Sequence, residues 1–519
     1  MNDPLVLTFD IGTQSTRALL VNSRGGIEDV CQEKYAQPYF SKNPGWAEQK
    51  PDFYYNCLCR TAKELCGKNQ DKLQRVIAVT ITAIRDTVLC LDKNNAPLRD
   101  IILWLDKREA DFNDPYPRWK RAAFRVAGME DATKILYKAS AGNWIMQNEP
   151  ELWERTSKFV MLPTYINYKL TGVLADTPAN MIGHVPFDYK KRKWMKKSDL
   201  TRCFCDVPME KLCELIDSGS TVGKITAEFS TLTGVPAGLP LISTGSDKGC
   251  ETLGLSVMTP DKASISYGTT ATIQLAVKDY FEPQKFLPAY PAVISDMYNP
   301  EIEIYRGFWL LSWFVKEFGA RESMEAEAAG CLPEKILDEK IKSIPAGSDG
   351  LLLQPYWTPG ILKPNSRGAV VGFADYHTHL HLYRAIIEGL ALELYMALDI
   401  MEKRSGLNIK EIFVSGGGAK SDVVCQITAD VFGLPVKRIQ THEACSIGSS
   451  MAAFVSMGVF ENYEQAAKSM VHEKDVFTPN DENHGVYMEI YKKAYGRIYG
   501  RLEPIYKRLI EIYKRRTLK

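Results

Sequence analysis

The sequence contains no apolar run approaching the ~20 residues that a membrane-spanning helix needs. It also lacks an excess of charge of either sign, because 64 lysines and arginines stand against 63 aspartates and glutamates. A nearly neutral chain gives no indication of nucleic acid or another polyanion as a partner. No basic segment followed by an apolar stretch opens the sequence, so no signal peptide is expected. These absences favour a cytoplasmic protein without membrane or nucleic-acid partners.

Several common site motifs are missing as well. Twelve cysteines are present, but no pair of Cys-x-x-Cys motifs recurs at zinc spacing, and a chain of 519 residues needs no disulfide scaffold. Neither the phosphate-loop pattern GxxxxGK followed by Ser or Thr nor the dinucleotide pattern GxGxxG occurs. The length predicts two large domains, since one core rarely serves so many residues.

Two similar segments, about half a chain apart, carry the first positive signal. Residues 5–22 read LVLTFDIGTQSTRALLVN and residues 264–277 read SISYGTTATIQLAV. Each predicts a strand, a Gly-Thr turn and a second strand. Glycine lets the backbone approach an anion, and turn N–H groups with a threonine hydroxyl can hold phosphate oxygens. The two turns therefore predict a nucleotide held between two similarly built halves.

These turns belong to a series of motifs that resembles a known family. The segments DIGTQSTRALL, GWAEQ, STGSDKG, RAIIEG and SGGGAKS occur in an order and spacing similar to those of the FGGY carbohydrate kinases. The resemblance implies an α/β fold of two actin-like (ribonuclease H-like) domains with a nucleotide cleft between them. It implies a sugar-binding N-terminal domain at residues 1–254 and an ATP-binding C-terminal domain at residues 255–519. It also implies ATP and Mg²⁺ as cofactors, a small-molecule sugar or polyol as substrate, and a homodimer as one assembly to consider.

The pattern of apolar residues predicts strands mixed with helices along the whole chain. Predicted strands cover residues 76–82, 239–244, 351–354 and 411–415, and predicted helices cover residues 108–165, 379–401, 423–432 and 444–457. Within the first helical region, Trp153, Phe159, Leu162 and Tyr165 stand at helical intervals. A hinge between the halves is expected near residues 254–261.

Asp247 is the candidate catalytic base. It follows a predicted strand and a glycine, where a carboxylate can project into a crevice and accept the proton of a substrate hydroxyl. Spacing alone favours a role for Asp247 as the cap of the helix predicted to begin at Lys248, and the two roles could coexist. The family resemblance favours the base, since the catalytic aspartate of the family stands at this position.

The resemblance also assigns the metal and nucleotide groups. Asp10 lies in the first turn, where a carboxylate suits hydrated Mg²⁺, although a polar turn residue is the alternative. The residues expected to contact the nucleotide are Thr13, Gln14 and Arg17 in the first turn, Gly268 and Thr269 in the second, Gly307, and Gly417, Gly418 and Ser421 in the loop GGGAKS. That loop lies between a predicted strand and a predicted helix, and its small residues would let an adenosine ring lie against the backbone. Three glycines alone could also form a loop without function.

The first half is expected to bind the sugar. Arg85 and Asp86 follow the strand VIAVTIT and resemble the Arg-Glu pair with which glycerol kinases hold polyol hydroxyls. A cation and an anion side by side can donate to and accept from adjacent hydroxyls, although a surface ion pair is the alternative. Trp104 matches a tryptophan that packs on the substrate in relatives, or it is a core residue. Gln49 either approaches the sugar or packs within the domain. None of the seven histidines is assigned a role.

The leading hypothesis is therefore an ATP-dependent kinase of a small sugar or polyol, such as the ketopentose xylulose or the polyol glycerol. An autoinducer-2-type kinase is an alternative, because that subgroup has a similar Arg-acid pair. A non-catalytic sugar or nucleotide sensor on the same fold is another. Retention of Asp10 and Asp247 argues against the sensor.

Overall fold

Two six-stranded sheets form the centres of two α/β halves in the computed structural model, which describes residues 3–284, 287–360 and 363–517. The strands of the first half are β1 (Leu5–Ile11), β2 (Ser15–Asn22), β3 (Ile27–Lys34), β4 (Glu48–Gln49), β5 (Val76–Ala83), β6 (Val88–Leu91), β7 (Ile101–Ile102), β8 (Lys158–Met161), β9 (Ala175–Asp176), β10 (Phe187–Asp188), β11 (Lys193–Trp194), β12 (Glu214–Leu215), β13 (Thr221–Lys224) and β14 (Pro240–Ile242). Those of the second half are β15 (Lys262–Tyr267), β16 (Ala271–Leu275), β17 (Tyr290–Pro291), β18 (Tyr298–Asn299), β19 (Glu301–Ile304), β20 (Leu352–Gln354), β21 (Ala369–Val371), β22 (Glu411–Ser415), β23 (Val436–Ile439) and β24 (Glu473–Phe477).

The two central sheets have the same topology. Their strand orders are β3-β2-β1-β5-β14-β13 and β19-β16-β15-β22-β23-β24. In each sheet, three antiparallel strands are followed by two strands parallel to the third and by a final antiparallel strand. The predicted α/β class and the predicted repetition of the strand-turn-strand units are both confirmed.

Helices cover these sheets. Those of the first half are α1 (Phe53–Lys68), α2 (Arg118–Val126), α3 (Glu130–Ala139), α4 (Ala141–Asn148), α5 (Pro150–Arg155), α6 (Leu162–Thr171), α7 (Ala227–Thr233) and α8 (Asp247–Gly254). Those of the second half are α9 (Trp309–Phe318), α10 (Ala320–Ala329), α11 (Pro333–Ile341), α12 (His379–Ser405), α13 (Asp422–Phe432), α14 (Ala444–Ser456), α15 (Tyr463–Met470), α16 (Asp481–Ile490) and α17 (Gly496–Thr517). No helix in the described ranges is long and apolar enough to cross a membrane.

The prediction of continuous helical structure up to Tyr165 is wrong at Phe159. That residue lies in β8, which pairs antiparallel with β6, whereas Trp153 lies in α5 and Tyr165 in α6. Residues Phe159, Val160 and Met161 are all buried. A short apolar run of this kind has no periodicity that separates a buried strand from a buried helix, so the neighbouring strand decides the outcome.

Helix α14 belongs to the second half by sequence but packs against the first half. Buried side chains of α14 share a hydrophobic cluster with Val6 in β1 and Ala78 in β5. The Ser450 hydroxyl also forms a buried hydrogen bond with the Thr8 hydroxyl at 2.9 Å. The two halves therefore share a core in addition to the connection at residues 255–261. The division at residue 254 and the hinge beside it stay predictions.

Helices α8 and α14 cross at two glycines, Gly254 and Gly448, and a methyl group on Gly448 would overlap the carbonyl oxygen of Cys250. Gly448→Ala is expected to lower the free energy of unfolding by about 1–3 kcal/mol, the usual effect of overpacking a close backbone contact. Gly67→Ala is the matched control, because among the described residues no atom other than those of its chain neighbours and its own helix backbone lies within 4 Å of a methyl group at that position. The control should be neutral or stabilising by up to ~1 kcal/mol. Urea denaturation of both variants measures the difference, and equal stability of the two would contradict the close crossing.

Candidate active site

A cavity of about 1380 Å³ lies between the two halves and is lined by both Gly-Thr turns. The topology explains why the functional side chains converge there. Strands β1, β5 and β14 are parallel, so the residues that follow them emerge at one edge of the sheet. Asp10 lies near the end of β1, Arg85 follows β5, and Asp247 follows β14, and all three line the cavity.

Asp10 lies near the end of β1 in a strongly negative environment. The Thr82 hydroxyl donates a hydrogen bond to its Oδ1 at 3.1 Å, and Arg17 Nη1 lies 3.3 Å from its Oδ2. Burial raises the pKa of Asp10 to about 6, and the charges of Glu443 and Asp247 also raise it, against the opposing charge of Arg17. A divalent cation beside this carboxylate would favour its charged form.

The donor set around Asp10 fits Mg²⁺ better than a metal held entirely by protein. Within the described ranges, no group of three or more His, Cys, Asp or Glu side chains is arranged to hold a metal ion. Mg²⁺ commonly binds through one or two carboxylates together with waters and substrate phosphates. Asp10 beside the Gly-Thr turn provides such a carboxylate next to the predicted phosphate position.

Asp247 is the first residue of α8, but it does not cap the helix. The N-cap is Ser246, whose hydroxyl accepts a hydrogen bond from the Gly249 N–H at 3.2 Å. The Asp247 carboxylate accepts only the N–H of Lys248 at 2.8 Å among the hydrogen bonds of the described residues, and it lies 3.7 Å from Arg85 Nε. With the capping role filled by Ser246, the carboxylate of Asp247 is left facing the cavity.

Arg85 reaches across the cavity to the second half. Its Nη1 lies 2.8 Å from Glu301 Oε1, and its Nη2 lies 4.0 Å from Glu303 Oε2. Both glutamates belong to β19, where alternate residues share one face. Burial raises the pKa of Glu303 to about 7, and the charge of Glu301 adds to the rise against Arg85 and Lys248. The sequence interpretation missed this acidic pair, although the alternation Glu301-Ile302-Glu303-Ile304 indicated a strand with two carboxylates on one face.

Asp86 lines the cavity as Arg85 does, and its carboxylate is engaged by His184. Its carboxylate accepts the His184 N–H at 2.9 Å and lies 2.7 Å from His184 Nδ1. Burial acts to raise the pKa of Asp86, but the charge and hydrogen bonds of His184 outweigh it and leave that pKa lowered. Gly183 adopts φ +146° against the Asp86 side chain, and a methyl group there would overlap that carboxylate. The cavity thus contains His184, to which the sequence interpretation gave no role.

Trp104 lines the cavity and Gln49 does not. The Trp104 indole N–H donates to Thr13 Oγ1 at 3.2 Å, which joins the predicted sugar-binding tryptophan to the first turn. Gln49 is buried, and its amide donates to the carbonyl oxygens of Gln37 and Pro38 at 3.0 and 3.1 Å. Of the two roles weighed for Gln49, packing within the first half is the one that these contacts support.

The residues of both turns that are predicted to contact the nucleotide line the cavity. They are Thr13, Gln14 and Arg17 in the first turn and Gly268 and Thr269 in the second. Arg17 is not free, because it also lies 3.2 Å from Glu443. Gly307 packs on Ala271 beside the second turn.

The triple-glycine loop lies next to the second turn rather than on the cavity wall. Gly416 lies against the backbone of Tyr267, and Gly418 lies against the ring of Phe308 and the Cβ atom of Tyr267. The Phe308 N–H donates to the Gly268 carbonyl oxygen at 3.1 Å. Neither Gly417 nor Gly418 lines the cavity, and neither does Ser421, which caps α13 by accepting the Val424 N–H at 3.1 Å. The adenosine role of this loop stays a prediction.

Comparisons with known proteins agree with this arrangement. The FGGY family of carbohydrate kinases, N-terminal domain, matches residues 5–254, and the C-terminal domain of that family matches residues 263–457. A sugar kinase of Escherichia coli K12, YgcE, is 26% identical over 514 residues, which cover 99% of this chain and 96% of that protein. A xylulose kinase of Staphylococcus epidermidis is 26% identical over 509 residues, covering 95% and 96%. The crystal structure of xylulose kinase from Rhodospirillum rubrum superposes with a TM-score of 0.80 at 24% identity, covering 97% of this chain and all of that one.

The family match and the fold define an ATP-dependent carbohydrate kinase with two actin-like domains. The chain belongs to the FGGY family of carbohydrate kinases. The resemblance read from the sequence motifs is thereby confirmed.

Proposed function

We propose that Asp247 accepts the proton of a substrate hydroxyl while that hydroxyl attacks the γ-phosphoryl group of ATP. The observation that carries the proposal is the position of the Asp247 carboxylate. It lines the cavity between both Gly-Thr turns, and Ser246 rather than Asp247 caps α8. A general base must lie within hydrogen-bonding reach of the hydroxyl that it deprotonates, and the cavity gives that hydroxyl access to Asp247.

Arg85 positions Asp247 in this proposal. Its guanidinium lies between Asp247 on one side and Glu301 on the other, at 3.7 and 2.8 Å. The five donors of a guanidinium allow it to hold both carboxylates and still donate to a substrate hydroxyl. Trp104 offers an apolar face for the carbon chain, and Asp86 with His184 offers a second polar contact.

The first turn holds the phosphates of ATP in the same proposal. Thr13 and Gln14 line the cavity beside Asp10, and Gly268 with Thr269 lie on the opposite half. Mg²⁺, held at Asp10, would neutralise the charge on the phosphate oxygens during transfer. Closure of both turns on ATP would exclude water, which otherwise competes with the sugar as the acceptor.

The substrate is proposed to be a neutral ketose or polyol, with xylulose and glycerol as the candidates named from the sequence. The xylulose kinase relative at 26% identity supports a ketopentose. Asp86 is engaged by His184, so Arg85 and Asp86 do not form a simple Arg-acid pair. For a polyol substrate, we therefore propose that Arg85 and Asp247 provide the main contacts to its hydroxyls.

A coupled ADP-release screen tests the proposal. The acceptors are glycerol, erythritol, pentitols, ketopentoses and ketohexoses, each with MgATP and the wild-type protein. At least one neutral acceptor is expected to raise ADP release well above the rate without acceptor. Absence of stimulation by every compound would overturn the proposal of a ketose or polyol substrate.

The cytoplasm as the compartment and a homodimer as the assembly remain proposals from the family resemblance. Light scattering after size-exclusion chromatography tests the second. A mass of about twice the 58.4 kDa chain is expected for a homodimer.

A further inference from the structure

The cations around Asp247 are already paired with carboxylates of the same chain. In the described structure these ion pairs are Arg17 with Asp10 and Glu443, Arg85 with Glu301 and Asp247, and Lys248 with Glu251 at 2.8 Å. Recognition of a carboxylate or phosphate in a site commonly uses an arginine or lysine that is free to pair with it. A sugar acid entering this part of the cavity would have to compete with carboxylates that are part of the protein.

Strand β19 adds an excess of negative charge to the same wall. Glu301 is buried against Arg85, while Glu303 lies on the same strand face and also lines the cavity. One guanidinium therefore faces three carboxylates, those of Asp247, Glu301 and Glu303. The raised pKa of Glu303 is consistent with this crowding, since the charge of Glu301 is among its causes.

We propose that Glu301 and Glu303 determine substrate specificity by admitting neutral polyols and sugars and by rejecting sugar acids. The inference rests on the proposed function of the same cavity and names the class of acceptor that it takes. Carboxylate oxygens accept hydrogen bonds from substrate hydroxyls, which favours a polyol. The same oxygens repel an acceptor that carries its own carboxylate, and selectivity follows from that difference.

The test compares acceptors that differ in one group. A polyol acceptor found by the ADP-release screen is paired with the aldonic acid of equal carbon number, for example xylitol with xylonate or sorbitol with gluconate, and a ketose acceptor is paired with the 2-keto aldonic acid of equal carbon number. For the wild type, kcat/KM is expected to favour the neutral compound by about 100-fold or more. The carboxylate of the aldonic acid would be repelled by Glu301 and Glu303 both when the acid binds and in the transition state. At about pH 8.5, above the raised pKa of Glu303, the carboxylate is charged, and the ratio of the two kcat/KM values is expected to fall by about tenfold in Glu303→Gln, since one repelling charge is removed while the shape is kept.

Glu473→Gln is the matched control. Glu473 lies on β24 at the opposite edge of the same sheet and pairs with Lys437 at 2.9 Å, away from the cavity. The Glu473→Gln substitution changes the net charge by the same amount as Glu303→Gln. Its ratio of the two kcat/KM values should equal that of the wild type. If Glu303→Gln does not fold, as judged by circular dichroism, Glu303→Ala is measured in its place with the same expectation.

The outcomes separate this inference from the proposed function. A wild type that uses the aldonic acid as well as its neutral partner overturns the inference and leaves the kinase assignment intact. An unchanged ratio in the folded Glu303 variant overturns it as well. If neither the neutral acceptors nor the aldonic acids stimulate ADP release by the wild type, that result contradicts the proposed function itself.

Discussion

Replacing Asp247 by asparagine is expected to lower kcat by about 10²–10⁴-fold, the span typical of losing a general base. Asparagine keeps the shape of the side chain, and the helix keeps its cap because Ser246 provides it. Binding of ATP should therefore change little, since the phosphate-binding turns are untouched. Steady-state kinetics with the acceptor from the screen gives kcat, and calorimetry with an ATP analogue gives the nucleotide affinity.

Asp188→Asn is the control for this variant. Asp188 also lines the cavity, but it pairs with Lys191 at 2.8 Å rather than with Arg85. Its kcat should stay within a few-fold of the wild-type value, because the charge of Asp188 is paired with the exposed Lys191 and not with the group that holds Asp247. Wild-type turnover by Asp247→Asn would remove Asp247 from the chemistry.

Replacing Arg85 by alanine is expected to raise KM for the sugar about ten- to hundredfold while leaving KM for ATP nearly unchanged. The variant leaves Glu301, Glu303 and Asp247 without their shared cation in a largely buried site. It also removes the donor proposed for a substrate hydroxyl, and a hydroxyl left unpaired in this site on binding costs about 1–3 kcal/mol, which corresponds to that loss of affinity. Kinetics with each substrate varied separately gives the two KM values.

Arg192→Ala controls for the loss of a bridge between the halves. Arg192 also donates to the second half, at the Ser295 and Met297 carbonyl oxygens, and it does not line the cavity. Both KM values should remain close to those of the wild type in that variant. Equal weakening of sugar and ATP binding by Arg85→Ala would mean that Arg85 supports the fold and not the sugar site.

The repeated strand-turn-strand units were predictable from the sequence because their signals are local. Short apolar runs on both sides of a Gly-Thr turn indicate each unit without reference to distant parts of the chain. The motif STGSDKG likewise indicated that Asp247 follows the strand that is β14 in the structure. Local sequence could not decide whether Asp247 caps α8, since Ser246 and Asp247 are both good N-cap residues.

The long-range pairings of the site were not predictable. Asp86 pairs with His184, 98 residues away, and Arg85 pairs with Glu301, 216 residues away. Each pairing depends on how two elements pack, and no periodicity in the sequence reports that packing. For the same reason the packing of Gln49 against residues 37 and 38 could not be distinguished from a place beside the sugar.

Transfer of the γ-phosphoryl group to a carbon-bound hydroxyl is the central claim, and ³¹P NMR of the reaction products tests it most directly. The protein is incubated with MgATP and the acceptor found in the screen, alongside the Asp247→Asn variant. The wild type is expected to give ADP and a phosphate monoester in equal amounts, with little inorganic phosphate, while the variant gives neither at a comparable rate. Inorganic phosphate as the only product from the wild type, or a phosphate monoester formed equally fast by the variant, would contradict the account.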